Sequence, residues 1–239
     1  MPDGTAAPLP RRRPRDSQRS RVYRAETPLP GLRLAGLDAC AGYAAGVAAS
    51  PWWSARFPHL HPGRLPRFRP GRGARQAFYR EEEHPGGTVA TITLPRRYRT
   101  AGVVLHEMAH WALAEATDLP QHGRTFARLL LDASTEFLGA DAGEALAASY
   151  KGEKVRVARP PRRGPDGRYQ YGWDERLRLG RDRPLRVSFT PPGGRPSEVH
   201  GVLTGRERGS SVLVLRAGHD RSTGTVRVPV TAVWRVLPG

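Results

Sequence analysis

Apolar positions along the chain change period three times. Between 31 and 50 they step by three and four, at Leu34, Leu37, Ala41, Ala44, Ala45 and Ala48. That spacing predicts a helix, which Pro51 ends. Residues 59–75 are rich in Pro, Gly and Arg and read as loop, with a short strand around 67–69. From 76 the period shortens to two. Strands are predicted over 76–79 and 88–94, the second alternating Val89, Thr91 and Thr93 against Ala90, Ile92 and Leu94. The acidic run Glu81 to Glu83 and the Pro85-Gly86-Gly87 after it read as the solvated turn between them. At 101 helical stepping resumes through Val103, Val104, Leu105, Met108, Ala109, Ala112 and Leu113. Thr100 is placed to cap that helix, and Asp118, Leu119 and Pro120 stop it. A second helix is predicted over 123–138, closed by Gly139, and a third over 142–150. Residues 158–183 are again Pro-, Gly- and Arg-rich. Five short strands are then expected, over 185–189, 198–204, 211–216, 226–230 and 233–237.

This order of elements predicts an α+β chain in four parts: a disordered basic tail over 1–15, an α+β domain over 16–150, a linker over 151–183, and a small all-β module over 184–239. Five strands in some fifty residues match the size of an SH3-like barrel. The stretch from Gly224 to Trp234 resembles the end of such a barrel, a strand, one tight helical turn and a last strand.

Composition changes this picture in two places. The formal net charge is +17 on 239 residues. It divides as +4 over 1–30, +2 over 31–150 and +11 over 151–239, so the middle of the chain is nearly neutral. Lys151 and Lys154 are the only lysines. Such an arginine skew, with abundant Ala, Gly and Pro, is what a GC-rich genome writes into its proteins, which weakens the charge as a sign of nucleic-acid binding. A single cysteine, Cys40, excludes an internal disulfide and any zinc site built from several thiolates. Set among small apolar residues, it is expected to pack as one of them. No run of 18 apolar residues occurs, and Asp38 interrupts the Ala-rich stretch over 34–49. Arg11 to Arg13 precede no apolar h-region, so neither a signal peptide nor a membrane span is expected, and a cytoplasmic location follows.

The candidate chemistry lies in the neutral middle. His106-Glu107-Met108-Ala109-His110 is an H-E-x-x-H sequence inside a predicted helix. Residues four apart share a helix face, so two imidazoles one turn apart can ligate one Zn2+. Glu107 then sits beside the metal, where it can take a proton from an attacking water and return it to a leaving amine. A third ligand is needed. The metzincin pattern asks for Gly at 113 and His at 116, where this chain has Leu113 and Ala116. A Glu some twenty residues past His110, the thermolysin-like arrangement, is also missing, since Leu129 and Leu130 stand there. His122 falls in line with the apolar stripe Phe126, Leu129, Leu130, Ala133 and Phe137. A polar residue on a core stripe needs a partner, and a metal supplies one. Glu115 and Asp118 remain as alternatives, and Glu136 as a carboxylate behind a ligand. His59 and His61 form an H-x-H pair in a solvated loop. His84, His200 and His219 have turn or surface settings.

The run through Trp111 and the later His122-Gly123-Arg124-Thr125-Phe126-Ala127 resemble the SprT-like zincin metalloproteases, and more closely a group of small actinobacterial metallohydrolases. The stretch from Asp16 to Glu26, and Trp52, Trp53 and Phe57, fit that group too. The resemblance covers about residues 16–150. It implies a minimal zincin fold, His106, His110 and His122 as zinc ligands and Glu107 as catalytic base. It also implies that an extended peptide lies along an edge strand before the motif helix. Residues 88–94 are placed for that role, with Thr91, Ile92 and Thr93 as substrate-binding positions.

The expected function is therefore a zinc metallopeptidase acting on a peptide or protein substrate. In one alternative, Arg176, Arg178, Arg181 and Arg183 bring the same enzyme to nucleic acid. In another, the zinc is structural and catalyses nothing.

Overall fold

The computed structural model describes residues 15–239 except 28, 30, 72, 74, 85–86, 181–182, 207–211 and 218–223. All but Arg15 of the expected tail lies outside the described residues. The chain folds as a mixed α+β molecule. It opens with helix α1 (Arg19–Ala25), followed by α2 (Leu37–Ala49) and α3 (Pro51–Arg56). The α2 helix starts later than expected because residues 32–34 are extended. Arg33 forms a bridge with Thr100, and the Leu34 N–H donates to Arg99 O at 2.9 Å. Pro51 ends α2 and also begins α3, where the Ser50 hydroxyl accepts the Trp53 N–H at 3.2 Å.

A three-stranded sheet comes next: β1 (Arg67–Pro70), β2 (Phe78–His84) and β3 (Gly87–Leu94), in the order β1-β3-β2. Two expectations are corrected here. The acidic triplet lies within β2, because Glu81, Glu82 and Glu83 pair with Ala90, Val89 and Thr88 in an antiparallel ladder. Residues 88–94 form the centre of the sheet, parallel to β1 and antiparallel to β2. Strands β1 and β2 are the edges among the described residues.

Three longer helices carry the core, α4 (Ala101–Ala112), α5 (Arg124–Leu138) and α6 (Ala140–Gly152). The Thr100 hydroxyl caps α4 by accepting the Val103 N–H. The apolar faces of these helices bury Leu105, Met108, Phe126, Leu129, Leu130 and Leu146 together with Ile92 and Leu94 of β3 and Trp53 of α3. Burial of this kind, at roughly 25 cal/mol per Å² of apolar surface, holds the domain together.

Secondary structure occurs within the expected linker. A short hairpin of β4 (Arg162–Arg163) and β5 (Tyr169–Gln170) leads into helix α7 (Trp173–Leu179). The last strands are β6 (Pro184–Phe189), β7 (Ser197–Arg206), β8 (Val212–Ala217), β9 (Thr225–Pro229) and β10 (Val233–Pro238). They form one antiparallel sheet in the order β10-β6-β7-β8-β9, and a 3-10 turn over Val230–Ala232 joins its two edges. Among the described residues the ladder is not closed into a barrel. Its core is separate from the first and consists of Leu and Val from the strands with Trp173 and Leu177 of α7. No helix among the described residues is long and apolar enough to cross a membrane.

Candidate metal centre

The helical repeat of α4 places His106 and His110 one turn apart on one face. His122 stands just before α5, where the chain turns and the Gly123 N–H donates to Pro120 O at 3.1 Å. The three rings converge. His110 Nε2 lies 3.2 Å from His106 Nε2 and 3.2 Å from His122 Nε2. Two nitrogens bound at 2.0–2.1 Å to one tetrahedral ion stand about 3.4 Å apart, so the spacing fits a shared metal. His106 and His122 are buried and His110 is half-buried.

Two carboxylates far away in sequence set the orientation of the outer rings. His106 Nδ1 meets Glu26 Oε2 at 2.7 Å, and His122 Nδ1 meets Asp16 Oδ2 at 2.8 Å. Each Nδ1–H donated outward leaves a lone pair on the matching Nε2. Three nitrogens then face one another with too few protons to satisfy them all, and a cation resolves the conflict. This donor set fits a metal ion.

Asp16 and Glu26 flank α1, and sequence reasoning did not identify either one as part of the site. The signal was available, since Asp16, Arg19, Tyr23 and Glu26 recur at steps of three, four and three, the pattern of one helix face. The helix is held across the site by Gln18. Its amide donates to Arg156 O and accepts the Arg156 N–H, both at 3.0 Å.

The centre is dry. Burial pushes the Glu107 carboxyl up to about 8, aided by Glu26 and opposed by the Tyr79 backbone N–H. Burial likewise raises Glu26 to about 8, opposed by His122. It holds His106 well below the usual imidazole range, with His122 and Arg19 adding to the shift. A neutral imidazole is the metal-binding form. A dication among the rings would draw both carboxyls towards their anions. One Glu107 oxygen, Oε2, is buried without a hydrogen-bond partner. Glu107, His110 and His122 line a cleft of about 730 Å³, which is bordered by Asp16, Arg19 and Tyr23 on one side and by β2 on the other.

Helix α7 reaches this centre from the C-terminal side. Glu175 Oε2 accepts the Thr125 N–H at 2.8 Å and the Thr125 hydroxyl at 2.6 Å, while Oε1 accepts the Arg124 N–H at 3.2 Å. A carboxylate thus caps the first turn of α5, directly after His122. Gly123 allows this approach, because a Cβ there would stand 3.0 Å from Glu175 Oε1. Gly172, just before α7, does the same from the opposite side. It is left-handed (φ 77°), and a Cβ would meet Thr125 Oγ1 at 3.0 Å and Leu119 at 2.7 Å. The Arg176 guanidinium grips Asp118 through Nε at 2.7 Å and Nη2 at 3.1 Å, and its Nη1 donates to Tyr171 O.

Several sequence expectations are corrected. Arg176 is buried in that ion pair and faces no open surface. Arg178 is exposed and stands 3.6 Å from Glu175, Arg183 is exposed, and Arg181 lies outside the described residues. Thr91, Ile92 and Thr93 cannot add a peptide strand, since their neighbours β1 and β2 occupy both edges, and Thr91 and Ile92 are buried. Asp118 is taken by Arg176, and Glu115 and Glu136 are exposed. His59 lines a smaller cavity beyond the cleft, His61 is exposed, His84 and His200 stand near Glu82 and Glu198, and His219 lies outside the described residues. Cys40 is fully buried, as expected.

No family model, curated protein or solved structure matches the chain.

Proposed function

We propose that the protein is a zinc-dependent hydrolase of minimal zincin architecture, and that its substrate is a peptide or protein. One observation carries the reading: three imidazole nitrogens converge beside a buried, unpartnered Glu107 oxygen, and a cleft opens in front of them. Imidazole donors suit zinc. Structural zinc sites are closed by four protein ligands, whereas three ligands facing a cleft are the mark of catalytic ones, which disfavours a purely structural metal.

Bound zinc would lower the pKa of a water and polarise a carbonyl. The chain's own residues supply the rest. Glu26 and Asp16 keep His106 and His122 in one tautomer and orientation. Glu107 takes a proton from the attacking water and passes it to the leaving nitrogen. Strand β2 is an edge strand of its sheet among the described residues, and its Phe78, Tyr79, Arg80 and Glu81 line the cleft, with the Tyr79 N–H directed to Glu107. An extended peptide can hydrogen-bond along such an edge. The C-terminal strand order β10-β6-β7-β8-β9, with a one-turn helix before the last strand, supports an SH3-like reading of the module.

The test is Glu107→Gln. Hydrolysis of a denatured casein or a peptide pool is expected to fall by about 10²–10⁴-fold. Zinc measured by elemental analysis should stay at one per chain. An equally active variant, or a wild-type protein that binds no zinc, would remove the reading.

A further inference from the structure

We propose that Arg19 and Tyr23 form an oxyanion-binding site beside the metal centre and receive the negative charge that develops on the substrate oxygen. The inference deepens the hydrolase reading and rests on it.

Four residues on one face of α1 and its flanks point at the centre, and they divide by role. The outer pair, Asp16 and Glu26, is used up by the imidazoles of His122 and His106. The inner pair, Arg19 and Tyr23, borders the cleft together with Glu107 and His110. The Tyr23 ring lies 5.2 Å from the His106 ring, nearly parallel at 22°, and 5.1 Å from the His122 ring. It covers two ligands with its face. Burial first, and then the Glu107 charge, hold its hydroxyl above the usual phenol range, while Arg19 opposes the shift. The Arg19 guanidinium also stands 5.6 Å from the ring centre.

The arrangement has the parts an oxyanion site needs. A phenol O–H is a hydrogen-bond donor. Arg19 forms no ion pair among the described residues, so its charge is not already spent on a carboxylate. Arg80, the other arginine on the cleft, stands 3.5 Å from Glu82. On the ligand side His106 and His122 are buried, a setting in which fixed donors act most strongly.

In the reaction, a water oxygen bonds to the scissile carbonyl carbon while Glu107 takes a proton from that water. The carbonyl π pair moves onto its oxygen, and the resulting charge faces the Tyr23 hydroxyl and the Arg19 guanidinium. Collapse restores the C=O bond and breaks the C–N bond. The proton held by Glu107 goes to the departing amine, and the products are a carboxylic acid and an amine, which become carboxylate and ammonium when the acid's proton passes to the amine.

The experiment uses the zinc-loaded full chain, with inorganic phosphate as a tetrahedral oxyanion probe followed by calorimetry. Tyr23→Phe keeps the ring and its stacking, and Arg19→Gln changes an exposed side chain, so both variants should fold. Each is expected to weaken phosphate binding by about tenfold, the loss of one charge-assisted hydrogen bond. Zinc affinity by chelator competition should not change. On the peptide pool, Tyr23→Phe should lower kcat by about 10²–10³-fold, with KM little altered. Unchanged phosphate affinity in both variants would overturn the proposal. So would a wild-type protein that holds zinc but no phosphate, or a Tyr23→Phe variant that loses zinc, which would assign the hydroxyl to holding the metal centre rather than to the substrate oxygen. Failure of the hydrolase reading looks different: Glu107→Gln would stay active, or the wild-type chain would take up no zinc.

Discussion

The two halves of the molecule differ in what they bury. The C-terminal sheet closes over Leu and Val, and Ser188 is the one buried polar side chain among the described residues of its strands. The N-terminal half buries His106, Glu107, His122 and Gln18 among its apolar side chains, and α7 buries Asp174, Glu175 and Arg176 against it. Burying polar and charged groups costs free energy unless each is paired. A core that accepts that cost at one place has been shaped around chemistry. A core that avoids it has been shaped for packing. Helix α7 belongs to both. Trp173 and Leu177 enter the module's core, while Glu175 and Arg176 hold the turn that carries His122.

The sharpest way to break this comparison is to cut that link. Glu175→Ala leaves the Arg124 and Thr125 amides and the Thr125 hydroxyl without their acceptor. A loss of about 2–4 kcal/mol in unfolding free energy is expected by chemical denaturation. Zinc affinity should fall with it, because the first turn of α5 directly follows His122. A stability loss with unchanged zinc affinity would show that the two halves are joined but not coupled.

A smaller effect sharpens the N-terminal side alone. Removing the carboxylate behind a metal-binding imidazole costs about 10–100-fold in metal affinity. Glu26→Ala is expected at the upper end of that range and Asp16→Ala at the lower, since the Glu26 side chain is 14% exposed and that of Asp16 25%. Competition against a chelator of known affinity measures both. Equal zinc affinity in wild type and Glu26→Ala would mean that His106 is oriented by packing alone.

What the sequence revealed of the site follows from how local each signal is. His106, Glu107 and His110 lie within one helical turn and a half, and His122 shares the α5 stripe, so spacing alone brings all four to attention. Glu26 and Asp16 stand 80 and 106 positions from their histidines. Nothing in the periodicity of α4 points to them; only the folded position of α1 does. The α7 helix was hidden for a different reason. It is seven residues long and embedded in Pro, Gly and Arg, and its ordering comes from tertiary contacts of Glu175 and Arg176 rather than from helix propensity. Strand β3 was legible as a strand but not as the sheet's centre, because alternation gives a strand's faces and not its neighbours. The acidic triplet misled since three exposed charges fit an edge strand as well as a turn.

The smallest expected effect concerns the module's surface. Its half of the chain carries most of the net charge, and with Arg176 buried the arginines left for a partner include Arg178 and Arg183, both exposed. If that surface meets nucleic acid, binding to a mixed-sequence duplex should weaken steeply with salt. Replacing Arg178 and Arg183 together by Ala should flatten the slope of log affinity against log salt by about one to two. Unfolding free energy should stay within about 0.5 kcal/mol, as for surface substitutions in general, and zinc content should not move. No binding at low salt, or an unchanged slope, would leave the arginine excess as a trait of composition. A change in zinc content would contradict the division of labour itself, because Arg178 sits on α7 one turn from Glu175. Its charge would then be acting through the bracket rather than at the surface.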